Sequence, residues 1–291
     1  MDSIVRKQLV LKAAAQAEYV RIKCCINRLA TVDPIWVAEQ RGCEVRYMSL
    51  PSLEGVYSTA PRPVIIIGSE RPAGRRVYTC MHELGHHEFG HGMRVDELKS
   101  DEVHMTKDPE EFLADMFAAT LLMSQASIRH SLKARGFDTT RLEPMQVFRL
   151  ASFFGVGYST LIDHMTLTLG LLNLQQRVNL KKITPKELKA QFGCTPQSEV
   201  VLTDEFWKDR AVDMEIGDIL VLHGGTVVED NPRISQHGLI DGQPTFRAVS
   251  RGYLRAFHKN NDWAVNIRIA PKQYEGLAHY RFLDDPEEDI A

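Results

Sequence analysis

The chain reads as an α+β protein: a mostly helical first part with a small antiparallel sheet, then a helix-turn-helix-like helical segment, then a smaller β-rich α+β part. Three observations predict this. Apolar residues recur at helical spacing through most of the first 175 residues, and three short β-type runs cluster between positions 43 and 68. Beyond position 195, "EIGDILVLHGGTVVED", "LIDGQPTFRAVS" and "WAVNIRIAP" are rich in β-formers and cut by Gly and Pro. At 291 residues, with 44% hydrophobic and 25% charged, the chain is long enough for about two domains with their own cores. A net charge of -3 argues against a wholesale nucleic-acid binder and leaves only a local basic patch to be sought.

Residues 2–30, rich in Ala, Lys, Arg, Val and Leu, predict one long helix. Asp33-Pro34 is an N-cap with Pro at the first helical position, opening a short helix that stops at Gly42. Strands follow at Cys43–Ser49, Gly55–Thr59 and Val64–Gly68, the last two separated by Ala60-Pro61-Arg62-Pro63. A helix should then start near Ala73 or Gly74, carry "CMHELGHHEFGHG", and break at Gly90 or Gly92. Asp108-Pro109 caps the next helix, "PEEFLADMFAATLLM", with further helices over 126–134 and 144–174. Within the latter, "FRLASFFGVGYSTLIDHM" has a helix-turn-helix outline, but its low charge favours a packing unit over a DNA reader. Lys181, Lys182, Lys186 and Lys189 mark a charged helix or linker ending at Gly193, and the tail "LDDPEEDIA" reads as a solvated end. The expected boundaries are 1–135, 136–190 for the helical segment and linker, and 191–291.

No run approaches the roughly 20 apolar residues needed to span a bilayer, and the first residues lack a signal-peptide core, so the expected compartment is the cytoplasm. Cys24, Cys25, Cys43, Cys80 and Cys194 are scattered without a C-x-x-C pair, which points to reduced thiols.

The chemistry concentrates in two consecutive H-E-x-x-H strings, His82–His86 and His87–His91. Two His at i and i+4 with an intervening Glu present a zinc site and its general base on one helix face. Advancing about 100° per residue from Val77 puts His82, His86 and Glu83 at about 140°, 180° and 240°, opposite the stripe of Val77, Met81 and Leu84. Glu88 lands at about 20°, inside that stripe, and His91 falls where the helix is expected to end, so the first copy is the candidate. Cys80, at about 300°, cannot reach the same metal and is expected in the core. A third ligand is needed. Glu111 and Asp115 lie four apart on the next helix, among Phe112, Leu113, Met116 and Phe117. Glu111 as ligand and Asp115 as the acceptor orienting a ligand His account for both; a solvated acidic first turn accounts for Glu111 but poorly for Asp115.

"RRVYTCMHELGHH" followed about 25 residues later by "EEFLADMFAATLLM" resembles the ImmA/IrrE family of zinc-dependent regulatory peptidases, over roughly residues 15–172. It departs at Ser124, where Pro is common, and at Asp115, where Asn is more usual. The resemblance implies a zincin-like fold in the first domain, one Zn²⁺ held by His82, His86 and Glu111, Glu83 as catalytic base, and an endopeptidase whose substrate is a helix-turn-helix transcriptional repressor. Cleavage would relieve repression in a stress, DNA-damage or phage-defence response. It also implies a sensory C-terminal domain, GAF-like in some relatives. Tyr57, His91 and His104 are candidates for oxyanion stabilisation, and Cys43 or Cys194 for a regulatory thiol.

In the last domain Arg247, Arg251, Arg255 and Lys259 recur every four residues with Phe246, Tyr253, Phe257 and Trp263 between them. One reading is a stripe for single-stranded DNA as activator; the other is a solvated basic face. Two further function classes stay open: a repressor-binding module without catalysis, and a DNA-binding regulator using residues 145–172.

Overall fold

The structure is a computed structural model that describes residues 2–97, 108–195 and 197–283. The chain divides into two compact units, Met1–Lys182 with Glu275–Ala278, and Ile183–Tyr274 with His279–Ala291. In chain order the first runs α1 (Ser3–Lys23), α2 (Pro34–Gln40), β1 (Glu44–Met48), β2 (Leu53–Ser58), β3 (Val64–Gly68), α3 (Ala73–Phe89), β4 (Arg94–Glu97), α4 (Pro109–Leu122), α5 (Gln125–Ala134), α6 (Pro144–Phe154), α7 (Tyr158–Asp163) and α8 (Leu174–Lys181). Then come α9 (Pro185–Ala190), β5 (Val200–Leu202), β6 (Ala211–Glu215), β7 (Ile219–Val221), β8 (Thr226–Val228), β9 (Ile234–Ile240), β10 (Gln243–Ala248), β11 (Gly252–His258), β12 (Ala264–Ala270) and β13 (Gly276–Leu277), the last of which belongs to the first unit.

The helix punctuation behaves as its residues dictate. Asp33 accepts from the amides of Ile35 and Trp36, and Asp108 from that of Glu110, so both Asp-Pro pairs start helices. Gly90 takes the left-handed conformation, with φ +69°, and ends α3. The first helix is shorter than expected, because the chain turns after Lys23 and Cys25 adopts a φ of +52°.

The first sheet corrects an expectation: it is mixed, not antiparallel. Its order is β13-β1-β3-β2-β4, with β2 antiparallel to β3 and β4, and β1 parallel to β3. The reason lies in β3, whose Val64-Ile65-Ile66-Ile67 run is apolar at successive positions and so suits the middle of a sheet covered on both faces. It occupies the centre, and β1 takes its free edge in the parallel sense. The edge strand β4 had no sequence signal.

The buried helix α3 packs on this sheet and against α4, and α1 packs along α4. Gly85 sets the α3–α4 approach: a Cβ there would stand 3.0 Å from Ala114 Cα and 3.2 Å from a Phe117 ring carbon. Arg21, buried at 2% exposure, fixes the other end of α4 by donating to Leu121 O from Nη2 at 2.6 Å and to Ala30 O from Nη1 at 3.0 Å. The Leu121 carbonyl, left over at the end of α4, and the loop carbonyl of Ala30 are thereby satisfied.

The helix-turn-helix-like segment is a packing unit. α6 stops at Gly155, α7 is six residues long and runs into a π-helical turn at His164–Thr168, and Tyr158, Leu161 and Ile162 are buried. In the second unit the GAF-like α+β arrangement is not found. Its described residues form two four-stranded sheets, β5-β7-β10-β9 and β6-β12-β11-β8, with α9 as the one α-helix among them. Short β-branched runs broken by Gly and Asn turns leave no amphipathic stretch long enough to cover a sheet with helices.

Candidate metal centre

α3 delivers His82, Glu83 and His86 into the interior, with exposures of 3%, 0% and 0%. Their face of the helix is therefore not the solvent side: α4 and the sheet cover it. His82 Nε2 and His86 Nε2 lie 3.0 Å apart. Glu111, at the start of α4, stands 3.5 Å from each of these nitrogens, one carboxylate oxygen per imidazole. Asp96 of β4 adds an oxygen 3.0 Å from His82 Nε2. The four donor atoms all lie within 4.8 Å of one another and form a group able to hold a metal ion.

Both imidazoles are oriented from behind. His82 Nδ1 donates to Asp115 Oδ1 at 2.9 Å, and Tyr78 holds the same stretch of α4 by donating to the Asp115 carbonyl at 3.1 Å. His86 Nδ1 shares a 2.9 Å hydrogen bond with His91 Nδ1. The left-handed Gly90 makes this contact, since the chain reverses there and the His91 amide donates back to His86 O at 3.0 Å. Each Nδ1 is thus engaged, leaving each Nε2 for the cluster.

Burial alone would lower the pKa of His82, but Asp115, Asp96 and Glu111 outweigh it and hold this imidazole well above the ordinary histidine range. His86 goes the other way, pushed down to about 3 by burial first and by His82 second. The carboxylates gathered round His82 favour positive charge at this point, which is where a cation would sit.

Glu83 lies under β2. A Cβ at Gly55 would meet Glu83 Oε1 at 2.6 Å and Thr79 Cγ2 at 2.5 Å, so only glycine lets the strand pass this close. The second H-E-x-x-H string is spent on structure. His87 Nδ1 is bonded to the Tyr57 hydroxyl at 2.7 Å, and Glu88 accepts from Arg41 Nε and Gln16 Nε2, both at 2.6 Å. Of the candidate oxyanion groups, Tyr57 and His91 are committed to these contacts, and His104 lies outside the described residues. No cysteine joins the cluster among the described residues: Cys80 is fully buried beside Pro34 O, and burial pushes the Cys43 thiol up to about 12 and that of Cys194 to about 11.

Asp115→Ala removes the acceptor that fixes His82 and is expected to weaken metal binding by about ten- to a hundredfold, measured by competition with a chromophoric chelator.

A helix with H-E-L-G-H, two carboxylates from neighbouring elements and a buried glutamate defines a domain of metallopeptidase type. Residues 38–165 match the family model of the peptidase M78, IrrE N-terminal-like domain. No curated protein sequence matches the chain. Among solved structures, the crystal structure of the cysteine protease inhibitor EhICP2 from Entamoeba histolytica aligns at 8% identity, covering 26% of this chain and 99% of that chain with a TM-score of 0.20. The solution structure of Amebosin aligns at 10% identity over 25% of this chain and 97% of that one, with a TM-score of 0.17. At such scores neither carries an argument. No helix among the described residues is long and apolar enough to cross a membrane.

The four basic residues of the second unit are not one stripe. Arg247 is on β10, where it donates to Gly217 O, and Arg255 is on β11 in the other sheet, with Arg251 between the strands and Lys259 beyond β11. Trp263 is buried and donates to Asp204 O. What remains is the outward face of β11, where Tyr253, Arg255 and Phe257 alternate in exposed positions.

Proposed function

We propose that the chain is a zinc-dependent endopeptidase acting on a helix-turn-helix transcriptional repressor, so that cleavage relieves repression under stress, DNA damage or phage attack. The observation that carries the reading is the donor cluster of His82, His86, Glu111 and Asp96 built around the H-E-L-G-H helix. Zinc suits it: bonds of about 2.0–2.1 Å arranged tetrahedrally give ligand-to-ligand edges of about 3.3 Å. The His82–His86, His82–Asp96, His82–Glu111 and His86–Glu111 contacts of 3.0, 3.0, 3.5 and 3.5 Å bracket that edge, and all four donors lie within 4.8 Å of one another. Imidazole and carboxylate donors also fit zinc better than magnesium or calcium, which prefer all-oxygen shells.

Zinc, when bound, supplies a Lewis acid that brings the pKa of a water towards about 7 and polarises the scissile carbonyl. The chain supplies the rest. His82, His86 and Glu111 would hold the ion, while Asp115 and His91 keep the imidazoles turned towards its place. Glu83 takes the proton of the attacking water and gives it to the amine nitrogen as the C–N bond breaks. Its burial beneath Gly55 keeps that proton from bulk solvent.

The repressor as substrate comes from the family resemblance. Single-stranded DNA as activator is supported by the exposed Tyr253-Arg255-Phe257 alternation, since aromatic faces beside a cation suit unpaired bases. The test is cleavage of the co-encoded repressor by the metal-loaded chain, with and without single-stranded DNA. One metal per chain and a cut repressor are expected. A stable repressor complex without cleavage would establish the binding-module alternative instead. Activation that ignores salt and survives Tyr253→Ala with Arg255→Glu would reject the DNA arm.

A further inference from the structure

We propose that Asp96 is a fourth metal ligand that closes the centre, making β4 a latch that must move before water or substrate can reach the ion. This rests on the metallopeptidase reading above and adds a regulatory state to the same site.

Hydrolytic zinc sites keep three protein ligands and leave one position for water, whereas four protein ligands are the mark of a closed, structural site. His82, His86 and Glu111 already supply three. Asp96 Oδ2 stands 3.0 Å from His82 Nε2, closer than either Glu111 contact, and its side chain is 12% exposed. Its position follows from register. Asp96 is paired across strands with Gly55, the glycine beneath which Glu83 lies, so both point to the α3 side of the sheet. A carboxylate from this strand thus competes for the open position the base must serve.

The strand is built to move at low cost. β4 is four residues long and, among the described residues, lies at the edge of its sheet and pairs with β2, in a pairing that is already irregular between Leu53 and Gly55. Two residues before Asp96, on the same face, Arg94 is ion-paired with Glu110, the neighbour of Glu111. This clasp ties β4 to α4, but Glu110 is 47% exposed and Arg94 30% exposed, so the hold is weak and screened by solvent. Arg94 and Asp96 therefore act together, one tethering the strand and the other capping the metal.

The experiment uses the full chain, stripped of metal and reloaded with Co²⁺, whose visible absorption reports coordination. Acetohydroxamate serves as the probe of an open position. The wild-type spectrum should be of the strong four-coordinate type and respond weakly to the probe. Asp96→Ala, and the isosteric Asp96→Asn, should lower Co²⁺ affinity by at least about tenfold while raising acetohydroxamate affinity by a similar factor. Arg94→Ala should keep Co²⁺ affinity within about threefold and still raise probe affinity, since it frees the latch without removing a ligand. The proposal is overturned if both Asp96 variants keep wild-type metal and probe affinities, or if the wild type binds the probe as tightly as they do. Absence of Co²⁺ binding by the wild type would instead bring down the metallopeptidase reading itself, and this proposal with it.

Discussion

Glu83→Gln is expected to leave one metal per chain and to reduce cleavage of the proposed repressor substrate by about a hundredfold or more, the size of a lost general base. The exchange is chosen for its shape. Glu83 is fully buried and its Oε1 lies beneath Gly55, and Gln keeps the volume while losing the proton-accepting carboxylate. The proposed ligands His82, His86 and Glu111 are untouched, so metal analysis and cleavage should part company in this one variant. Cleavage at wild-type rate would remove Glu83 from the mechanism. Loss of metal and cleavage together would point to a structural part for the carboxylate.

The centre divides into what residue spacing can announce and what only the folded chain assembles. His82, Glu83 and His86 are fixed by a single helix, and Glu111 with Asp115 by the i, i+4 geometry of the next one, so their relation is legible without tertiary information. The structure brings His82 and Asp115 to 2.9 Å, which explains why a carboxylate sits in the apolar second turn of α4. Asp96 gave no such sign. It lies on a four-residue edge strand, and its place at the cluster depends on pairing with β2 across the sheet. Helical periodicity separates the two strings onto different faces but says nothing of solvent: α3 is covered on both sides, so apolar and polar stripes do not map onto inside and outside. The four-residue spacing of Arg247, Arg251, Arg255 and Lys259 failed for a different reason, because periodicity implies one face only along an uninterrupted element. Here the chain turns between β10 and β11 and passes to the other sheet.

Arg41→Ala should cost about 2–3 kcal/mol of unfolding stability, while leaving the metal content of the folded protein unchanged. The pair it breaks is what became of the second H-E-x-x-H string. Glu88, 3% exposed, is bonded to Arg41 at the end of α2 and to Gln16 of α1, so one carboxylate on α3 joins three helices. Removing Arg41 strands a buried charge with Gln16 still donating, which keeps the cost below the 3–5 kcal/mol of a wholly abandoned partner. Glu88→Gln should be milder, because no buried charge is left behind and the amide oxygen still accepts from Gln16. The double variant should accordingly be more stable than Arg41→Ala alone, a sign that denaturant unfolding of the four proteins in a cycle will read directly. If Arg41→Ala and the double variant unfold together, the Glu88 charge carries no penalty. If Glu88→Gln abolished metal binding, Glu88 would have to be returned to the site, against the 2.6 Å distances that place it on Arg41 and Gln16.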